Sequence, residues 1–353
     1  MPGHTESALL ASRLDGQTMV IPDLRRMVSH WPSGKNVHAS DIEMHLNDIV
    51  DRSMPSPKDK ANITEANPAL LASCLWPNAS KDKLATLTLM VLWQGRLDDY
   101  IEALEYESPE KAKEFRAKAK EYIAQFLQLS EGPKDAPTIS IISNFQQVAQ
   151  VICEQYDKDQ RRRLRVSLFD YIDSTASEMR YIQNGNVPTD RYYEGLRRRT
   201  GGAGPLCALA EFASGVRLSS SVVGSAPYTL MLKAVSVIIG LTNDLLSLSK
   251  ELRKGRTFSV VPVRLWNSTD NDLKSVVERV VEEIENAVKN LDVCERRLVY
   301  QNQADADSIK QWAATLKTTC TGNLVWSLES KRYKVGEPAA DGSLRQELKA
   351  PAA

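Results

Sequence analysis

The sequence predicts an all-α protein, a single helical bundle, and three features lead to this prediction. Long stretches lack proline, which breaks helix interiors, so their lengths suit helices and helical hairpins. No run of alternating β-branched residues is flanked by hairpin turns. Two segments are apolar around most of their helical circumference, as buried helices are. The proline-free stretches are 78–108, 110–132, 138–187, 228–261 and 263–336.

Clusters of glycine, proline and small polar residues predict where helices end. Breaks of this kind are expected at 51–68, 131–138, 184–188 and 201–205. We expect a flexible N-terminus over 1–20, one folded domain over 21–335 and a disordered C-terminal tail over 336–353. No period of 20–50 residues recurs, which argues against a helical solenoid.

Composition excludes several classes of protein. Lysine plus arginine equals aspartate plus glutamate at 45 each, so no bulk positive charge indicates a nucleic-acid partner. The five cysteines are scattered without a CxxC pair, which argues against a disulfide framework or a zinc site. Leu230–Leu241 is interrupted by Lys233 and is too short to span a bilayer, and no signal peptide is evident. We therefore expect a cytoplasmic protein without a membrane span.

Histidine placement restricts the chemistry further. All 4 histidines lie within the first 45 residues, at His4, His30, His38 and His45. A histidine-based triad or metal site would have to use this N-terminal region. Catalysis elsewhere would depend on carboxylates, amides, hydroxyls and cations.

The first apolar helix runs directly into acidic residues. Leu84–Trp93 is apolar on most sides and is followed by Asp98, Asp99 and Glu102. Asp98 and Glu102 are four residues apart and share a helix face. Adjacent carboxylates on a buried helix are costly unless they are paired or bind metal. An ordinary solvated helix end would also explain this motif taken alone.

The second apolar helix ends in the same way. Leu230–Leu241 leads to Asn243, Ser247 and Glu251, which form one stripe of about 12 Å at helical spacing. An amide oxygen, a hydroxyl and a carboxylate are hard ligands of the kind that magnesium prefers. A solvated stripe explains either motif alone, but accounts less well for both at the ends of buried helices.

At this point the sequence resembles the class I terpene synthases of the microbial type. Asp98-Asp99-Tyr100-Ile101-Glu102 matches the family's DDxx(D/E) motif, and residues 243–251, Asn-Asp-Leu-Leu-Ser-Leu-Ser-Lys-Glu, match (N/D)Dxx(S/T)xx(K/R)(D/E) at every defined position. Arg197 lies 46 residues before Asn243, where such enzymes carry a diphosphate-sensing arginine. The remaining matches are Thr200 and Gly201 at a helix break, and Arg332-Tyr333 near the end of the last helix. The resemblance covers roughly residues 20–335.

The resemblance implies a deep apolar pocket closed by three Mg²⁺ ions, for which Mn²⁺ could substitute. Asp98 would bind two ions, and Asn243, Ser247 and Glu251 the third, while Asp99 and Glu102 would be ligands or would orient cations nearby. Thr200 and Gly201 would help to trigger ionisation as the break closes over the diphosphate. The implied diphosphate donors are Arg197, Lys250, Arg332 and Tyr333. The candidate pocket walls are Trp93, Phe145, Tyr193 and Trp326, with plain core packing as the alternative for each.

The expected reaction is ionisation of an isoprenyl diphosphate and cyclisation of the carbocation. Farnesyl diphosphate, giving a sesquiterpene hydrocarbon or alcohol, is the first choice, and geranylgeranyl or geranyl diphosphate is the alternative. Two other interpretations are less favoured. A chain-elongating prenyltransferase normally carries two Asp-rich motifs, whereas the second motif here is of the Asn/Ser/Glu type. A non-catalytic helical scaffold would have lost one motif, and both are present. One departure concerns the pocket, because Gln94 stands where the family usually has an aromatic residue. Homodimers are usual among similar enzymes, but no residue of this sequence indicates one.

Overall fold

The computed structural model describes residues 5–53, 56–269 and 272–351. Within these residues the chain is a bundle of α-helices with two short strands and two 3₁₀ turns, at Leu24–Val28 and Gln303–Asp305. The predicted all-α class is confirmed. The helices are α1 Glu6–Leu14, α2 Ala39–Ser53, α3 Pro57–Ala66, α4 Pro68–Leu75, α5 Lys81–Glu107, α6 Pro109–Phe126, α7 Ser140–Gln155, α8 Lys158–Asn184, α9 Asp190–Thr200, α10 Ala203–Ala208, α11 Ala210–Ser214, α12 Ser220–Val223, α13 Ala226–Leu252, α14 Val260–Asn267, α15 Leu273–Gln301 and α16 Ala306–Glu329, and the strands are β1 Thr18–Ile21 and β2 Leu344–Glu347.

Local sequence signals set the ends of the long helices. Asp157 and Gln160 form a reciprocal capping box at the start of α8, and Gly185 ends that helix in the left-handed conformation. Ser225 caps α13 by accepting a hydrogen bond from the amide of Tyr228, with proline in the first turn. These caps fix where the two helices begin and therefore which residues lie at their far ends.

Helices α5 and α13 organise the two halves of the core. Helix α5 packs against α4, α6 and α7, whereas α13 packs against α15, α16 and α10. Each half has its own cluster of buried apolar residues. Helix α13 is long and apolar enough to cross a membrane by composition, but most of that stretch is buried inside the protein. It is therefore the central helix of a protein core.

The predicted loop over 51–68 is wrong for most of its length. Residues Pro57–Ala66 and Pro68–Leu75 are helical, with each proline in the first helical turn. Proline is well tolerated there because the first-turn amide has no intrahelical acceptor. Asn67 joins the two helices in the left-handed conformation, with φ of 42°. Pro55 lies outside the described residues.

The structure also differs from the predictions of a flexible N-terminus and a disordered tail. Strand β1 pairs antiparallel with β2, and Thr18 lies opposite Glu347 in the register. We call this two-stranded element the terminal ribbon. Its inward side chains, including Met19 and Leu344, are buried, so the tail folds because it covers apolar surface. The parts of the two predictions that fall on residues 1–4 and 352–353 lie outside the described residues.

Candidate active site

The far ends of α5 and α13 face each other across one polar cavity of about 190 Å³, which we call the mouth. The two motifs predicted from the sequence lie on opposite sides of it. All six predicted metal ligands line the mouth: Asp98, Asp99, Glu102, Asn243, Ser247 and Glu251. The predicted diphosphate donors Arg197, Lys250, Arg332 and Tyr333 line it too.

A larger cavity of about 450 Å³, which we call the chamber, adjoins the mouth. Apolar residues of α5, α4 and α13, such as Leu92, Leu71 and Ile239, line its walls. Such a volume lies in the range of small-molecule sites, roughly 300–1,000 Å³. The residues shared by the two cavities mark their boundary: Asp98, Asp99, Arg197, Asn243, Arg332 and Tyr333.

On the α5 side, the carboxylate of Asp98 lies deep in the site, where it lines both cavities and is accessible to solvent through them. The hydroxyl of Tyr171 on α8 donates to Oδ1 of Asp98 at 2.8 Å. Burial raises the pKa of Asp98, and the neighbouring carboxylates of Asp99 and Glu102 raise it further, against the lowering effect of the Tyr171 hydrogen bond. Burial likewise raises the pKa of Asp99, although Arg332 opposes the shift. This side of the mouth therefore brings the three carboxylates of Asp98, Asp99 and Glu102 close together.

On the α13 side, Glu251 is better compensated. The Nζ atom of Lys250 lies 2.8 Å from Oε1 of Glu251. Burial alone would raise the pKa of Glu251, but Lys250, helped by Lys254 and Arg256, holds it below its usual value. Lys250 also lies over the ring of Tyr333, 5.4 Å from its centroid. The cations needed to bind an anion are thus already placed at this rim.

Arg197 lies at the centre of a buried polar network between α9 and α13. Its Nη2 atom donates to Oδ1 of Asn243 at 2.6 Å and lies 2.9 Å from Oδ1 of Asp244. Asn243 in turn donates from Nδ2 to the hydroxyl of Tyr333 at 2.7 Å. Tyr193 donates to the other oxygen of Asp244. Asp244 therefore positions Arg197, and Arg197 and Tyr333 both orient the amide of Asn243.

Of the four aromatic residues predicted for the pocket wall, only Trp326 lines the chamber. Trp93 donates from Nε1 to the carbonyl of Ile141 at 2.8 Å and packs on Phe145 with centroids 4.6 Å apart. Both rings are in the core behind the chamber because that side of α5 faces α7 rather than the cavity. Tyr193 packs against Phe258 and acts through its bond to Asp244. Core packing thus accounts for Trp93 and Phe145, and the polar network for Tyr193.

A stripe of functional residues on α8 was not singled out in the sequence. Tyr171 lines the chamber, and Thr175 and Glu178 line the mouth. Burial raises the pKa of Glu178 to about 7, although Arg197 and Thr200 oppose the shift. The spacing i, i+4, i+7 on one helix face was the available signal. Arg256, which also lines the mouth, lies outside every motif and had no such signal.

The helix break between α9 and α10 lies at the chamber wall. Thr200, Gly201 and Gly202 line the chamber, and Gly202 has φ of 72°. Gln94 donates from Nε2 to the carbonyl of Gly202 at 3.0 Å. Gln94, which departs from the family pattern, therefore connects α5 to the break by a hydrogen bond. The predicted break over 201–205 is confirmed only at Gly201 and Gly202, because Ala203–Ala208 is helix α10.

The donor set fits divalent metal ions that a substrate helps to hold. Among the residues that the structure describes, no three histidine, cysteine, aspartate or glutamate side chains converge as a ready-made metal cage. Instead, oxygen donors are divided between two rims, and one of them carries the three carboxylates of Asp98, Asp99 and Glu102. Magnesium is commonly bound by one or two carboxylates together with substrate phosphates. The arrangement suits metal ions bridging the two rims through an anionic ligand.

Comparison with known proteins agrees with this geometry. Residues 90–290 match the family model described as terpene synthase family 2, C-terminal metal binding. The chain is 24% identical over 350 residues to the sesquiterpene cyclase hepA of Aspergillus oryzae, covering 95% of this chain and 94% of that protein. It is 26% identical over 284 residues to the (-)-delta-cadinene synthase of Streptomyces clavuligerus, covering 79% of this chain and 84% of that protein.

The fold is also that of solved structures. The linalool/nerolidol synthase of Streptomyces clavuligerus superposes with a TM-score of 0.72 at 18% identity, covering 84% of this chain and 98% of that one. The family model spans more than half of the chain, and it contains both carboxylate-bearing helix ends of the mouth. The chain belongs to terpene synthase family 2 and is a terpene synthase, a lyase that acts on an isoprenyl diphosphate and uses a divalent metal.

Proposed function

We propose that this enzyme is a sesquiterpene cyclase that converts farnesyl diphosphate into a cyclic hydrocarbon or alcohol with release of diphosphate. The observation that carries the proposal is the arrangement of two cavities. A mouth lined by candidate metal-binding oxygens and basic side chains opens onto a larger chamber whose lining includes apolar side chains such as Leu71, Leu92 and Ile239. An isoprenyl diphosphate has a charged diphosphate at one end and a hydrocarbon chain at the other. Its two parts therefore match the mouth and the chamber.

The diphosphate binds at the mouth. Asp98 on one rim and Asn243, Ser247 and Glu251 on the other would hold three Mg²⁺ ions, with Mn²⁺ as a substitute. When bound, these ions neutralise the charge that develops on the leaving diphosphate. Asp99 and Glu102 are either further ligands or groups that orient nearby cations.

Basic side chains and one hydroxyl contribute to the same stabilisation. Lys250, Arg332 and Tyr333 line the mouth and can donate hydrogen bonds to diphosphate oxygens, and Arg197 donates from its boundary position. Fixed donors in a site that excludes water stabilise developing charge strongly because they need no reorganisation as the bond breaks.

The chamber protects the carbocation from water. Its lining includes the aromatic ring of Trp326, which lies 5.5 Å from the ring of the boundary residue Tyr333. An aromatic face contributes about 0.5–2 kcal/mol to a neighbouring cation. Trp326 is itself fixed by donation from Nε1 to the carbonyl of Ala66 at 2.6 Å. Its ring is therefore held in place, where it can stabilise positive charge in the chamber.

The helix break would couple diphosphate binding to ionisation. Arg197 is on the last turn of α9, Thr200 is the last residue of that helix, and Gly201 is its C-cap. A shift of Arg197 towards the diphosphate would move this turn towards the chamber. Replacing Gly201 should leave substrate binding nearly intact while reducing turnover, and normal turnover in such a variant would exclude this role.

The choice of farnesyl diphosphate follows from relatives that are named sesquiterpene cyclases or synthases. Purified protein would be incubated separately with geranyl, farnesyl and geranylgeranyl diphosphate, with Mg²⁺ or with EDTA. Gas chromatography with mass spectrometry would identify the products. A C15 product that requires Mg²⁺ is the expected result. Turnover of another substrate alone would replace farnesyl diphosphate. Longer prenyl diphosphates in a parallel incubation that also contains isopentenyl diphosphate would indicate chain elongation instead.

A further inference from the structure

Arg256 connects the two sides of the mouth. Its guanidinium makes two contacts with the carboxylate of Glu102, one of them from Nη1 to Oε2 at 3.2 Å. The same Nη1 atom lies 3.7 Å from Oε2 of Glu251. One side chain therefore bridges the last acid of the first motif and the last acid of the second.

The C-terminal cap of α13 places Arg256 in this position. After Leu252 the chain turns through Gly255, which has φ of 73°, and the amide of Arg256 donates to the carbonyl of Glu251 at 3.0 Å. This bond closes the last turn of α13 in the manner of a glycine-terminated helix. The next residue is also held, because the hydroxyls of Thr257 and Ser7 lie 2.7 Å apart. The backbone that carries Arg256 is thus fixed on both sides.

Arg256 contacts the two carboxylates unequally. Arg256 contacts both oxygens of Glu102 and only one oxygen of Glu251, at a longer distance. A forked guanidinium on a carboxylate is a strong and geometrically specific contact. Both partners are largely shielded, with 23% of the Arg256 side chain and 30% of the Glu102 side chain exposed. Arg256 therefore occupies both oxygens of Glu102, whereas Glu251 has Lys250 as its nearer partner and only a long contact with Arg256.

We propose that Arg256 and Glu102 form a brace that sets the separation of the two metal-binding helix ends, and that Glu102 is not itself a metal ligand. The inference rests on the proposed function, because it concerns the same magnesium–diphosphate site. Arg256 is a positioning residue in this scheme. Without the brace, the protein no longer fixes the separation of the two rims. Binding of metal and diphosphate must then bring the rims together, so a higher magnesium concentration is needed to fill the site.

The test measures metal binding without turnover. Magnesium would be titrated in the presence of inorganic diphosphate, and the rise in unfolding temperature would give the magnesium concentration for half-maximal stabilisation. The variants are Arg256→Gln, Glu102→Gln and the double variant, with Arg256→Lys as a milder change. Arg253→Gln is the matched control, because Arg253 is exposed on the same turn and its loss removes the same charge.

We expect each single glutamine variant to raise the magnesium midpoint about three- to tenfold, and the double variant to raise it no further. Arg256→Lys should lie between the wild type and Arg256→Gln, and Arg253→Gln should leave the midpoint unchanged. An unchanged or lowered midpoint in Arg256→Gln would overturn the brace. If the double variant raised the magnesium midpoint by the product of the two single effects, Glu102 would act independently of Arg256, as a metal ligand would. No stabilisation of the wild type by magnesium with diphosphate would contradict the proposed function rather than the brace.

Discussion

Asp98 lines both cavities on the α5 rim, accepts a hydrogen bond from Tyr171, and is the first acid of the first motif. Asp98→Asn keeps the shape of the side chain but removes a charged metal ligand. We expect turnover of farnesyl diphosphate to fall at least about 100-fold, since the loss of one group that stabilises transition-state charge costs about 10²–10³. Asn243→Ala and Glu251→Ala should act similarly on the other rim. Product formation would be measured by gas chromatography at saturating magnesium.

The matched control for Asp98→Asn is Asp82→Asn, at the exposed first turn of the same helix. It removes the same charge from α5 but lies far along the helix from the mouth, so full activity is expected. Wild-type product yield from the variants at Asp98, Asn243 and Glu251 would show that the metal ligands lie elsewhere.

Tyr171 fixes the orientation of Asp98 through one hydrogen bond of 2.8 Å. A hydrogen bond to a charged group contributes about 1.5–3 kcal/mol. Tyr171→Phe removes the hydroxyl and keeps the ring, so the fold should persist while the magnesium requirement rises about tenfold. Titration of activity with magnesium checks this expectation. A lower turnover at every magnesium concentration with an unchanged midpoint would mean that Tyr171 contributes to the chamber instead.

At single residues, the sequence indicated the polar groups better than the aromatic ones. Asp98 and Asn243 could be predicted because each follows an apolar helical run and so must lie at a buried helix end. Trp93 could not be assigned in this way, because helical periodicity marks it as buried without saying whether α7 or a cavity lies on that side. Its neighbour Gln94, one position further round α5, is the residue that faces the chamber. Only the packing of α5 against α7 decides between them.

Among the elements, the break between α9 and α10 depends on Gly202. A Cβ atom there would lie 2.5 Å from Nε2 of Gln94, and φ of 72° is unfavourable for any residue with a side chain. Gly202→Ala should therefore lower the free energy of unfolding by about 1–3 kcal/mol and reduce turnover by displacing the break. Urea unfolding and product assays would measure the two effects.

Gly195→Ala is the control for Gly202→Ala. Gly195 is within α9, and a Cβ atom there would meet nothing within 4 Å. Because alanine is favoured over glycine in helices by about 1 kcal/mol, this variant should be at least as stable as the wild type. Equal destabilisation by both substitutions would contradict the special role given to Gly202.

Helix α3 shows why the elements around the chamber were only partly predictable. Three prolines within 51–68 indicated a loop, yet Pro57 and Pro68 each begin a helix. Proline is compatible with a first turn and incompatible with a helix interior, so the residue type alone does not distinguish a loop from a helix start. The amphipathic signal of α3 is weak, and the helix has no buried residue. Its position over the chamber, where Asn62 and Ile63 line the wall, comes from packing between elements.

In the molecule as a whole, the terminal ribbon joins the two ends of the chain behind the active site. Ser249 on α13 donates to the carbonyl of Glu347 at 3.0 Å, and Gln346 donates to the carbonyl of Leu246 at 3.3 Å. The ribbon thus contacts the side of α13 opposite the mouth. A short run such as Leu344–Glu347 carries no strand signal of its own in the sequence, because its partner strand is more than 300 residues away. Pairing at that distance could not be predicted from local patterns.

The ribbon gives a stability prediction with a matched pair of neighbouring residues. Leu344 points inward and is 5% exposed, whereas Arg345 points outward on the same strand. Leu344→Ala should lower the free energy of unfolding by about 2–4 kcal/mol, the usual loss for a truncated core leucine. Arg345→Ala should change it by about 0.5 kcal/mol or less, as surface substitutions do. Urea unfolding followed by circular dichroism would give both values, and similar effects from the two variants would mean that the ribbon does not cover the core in solution.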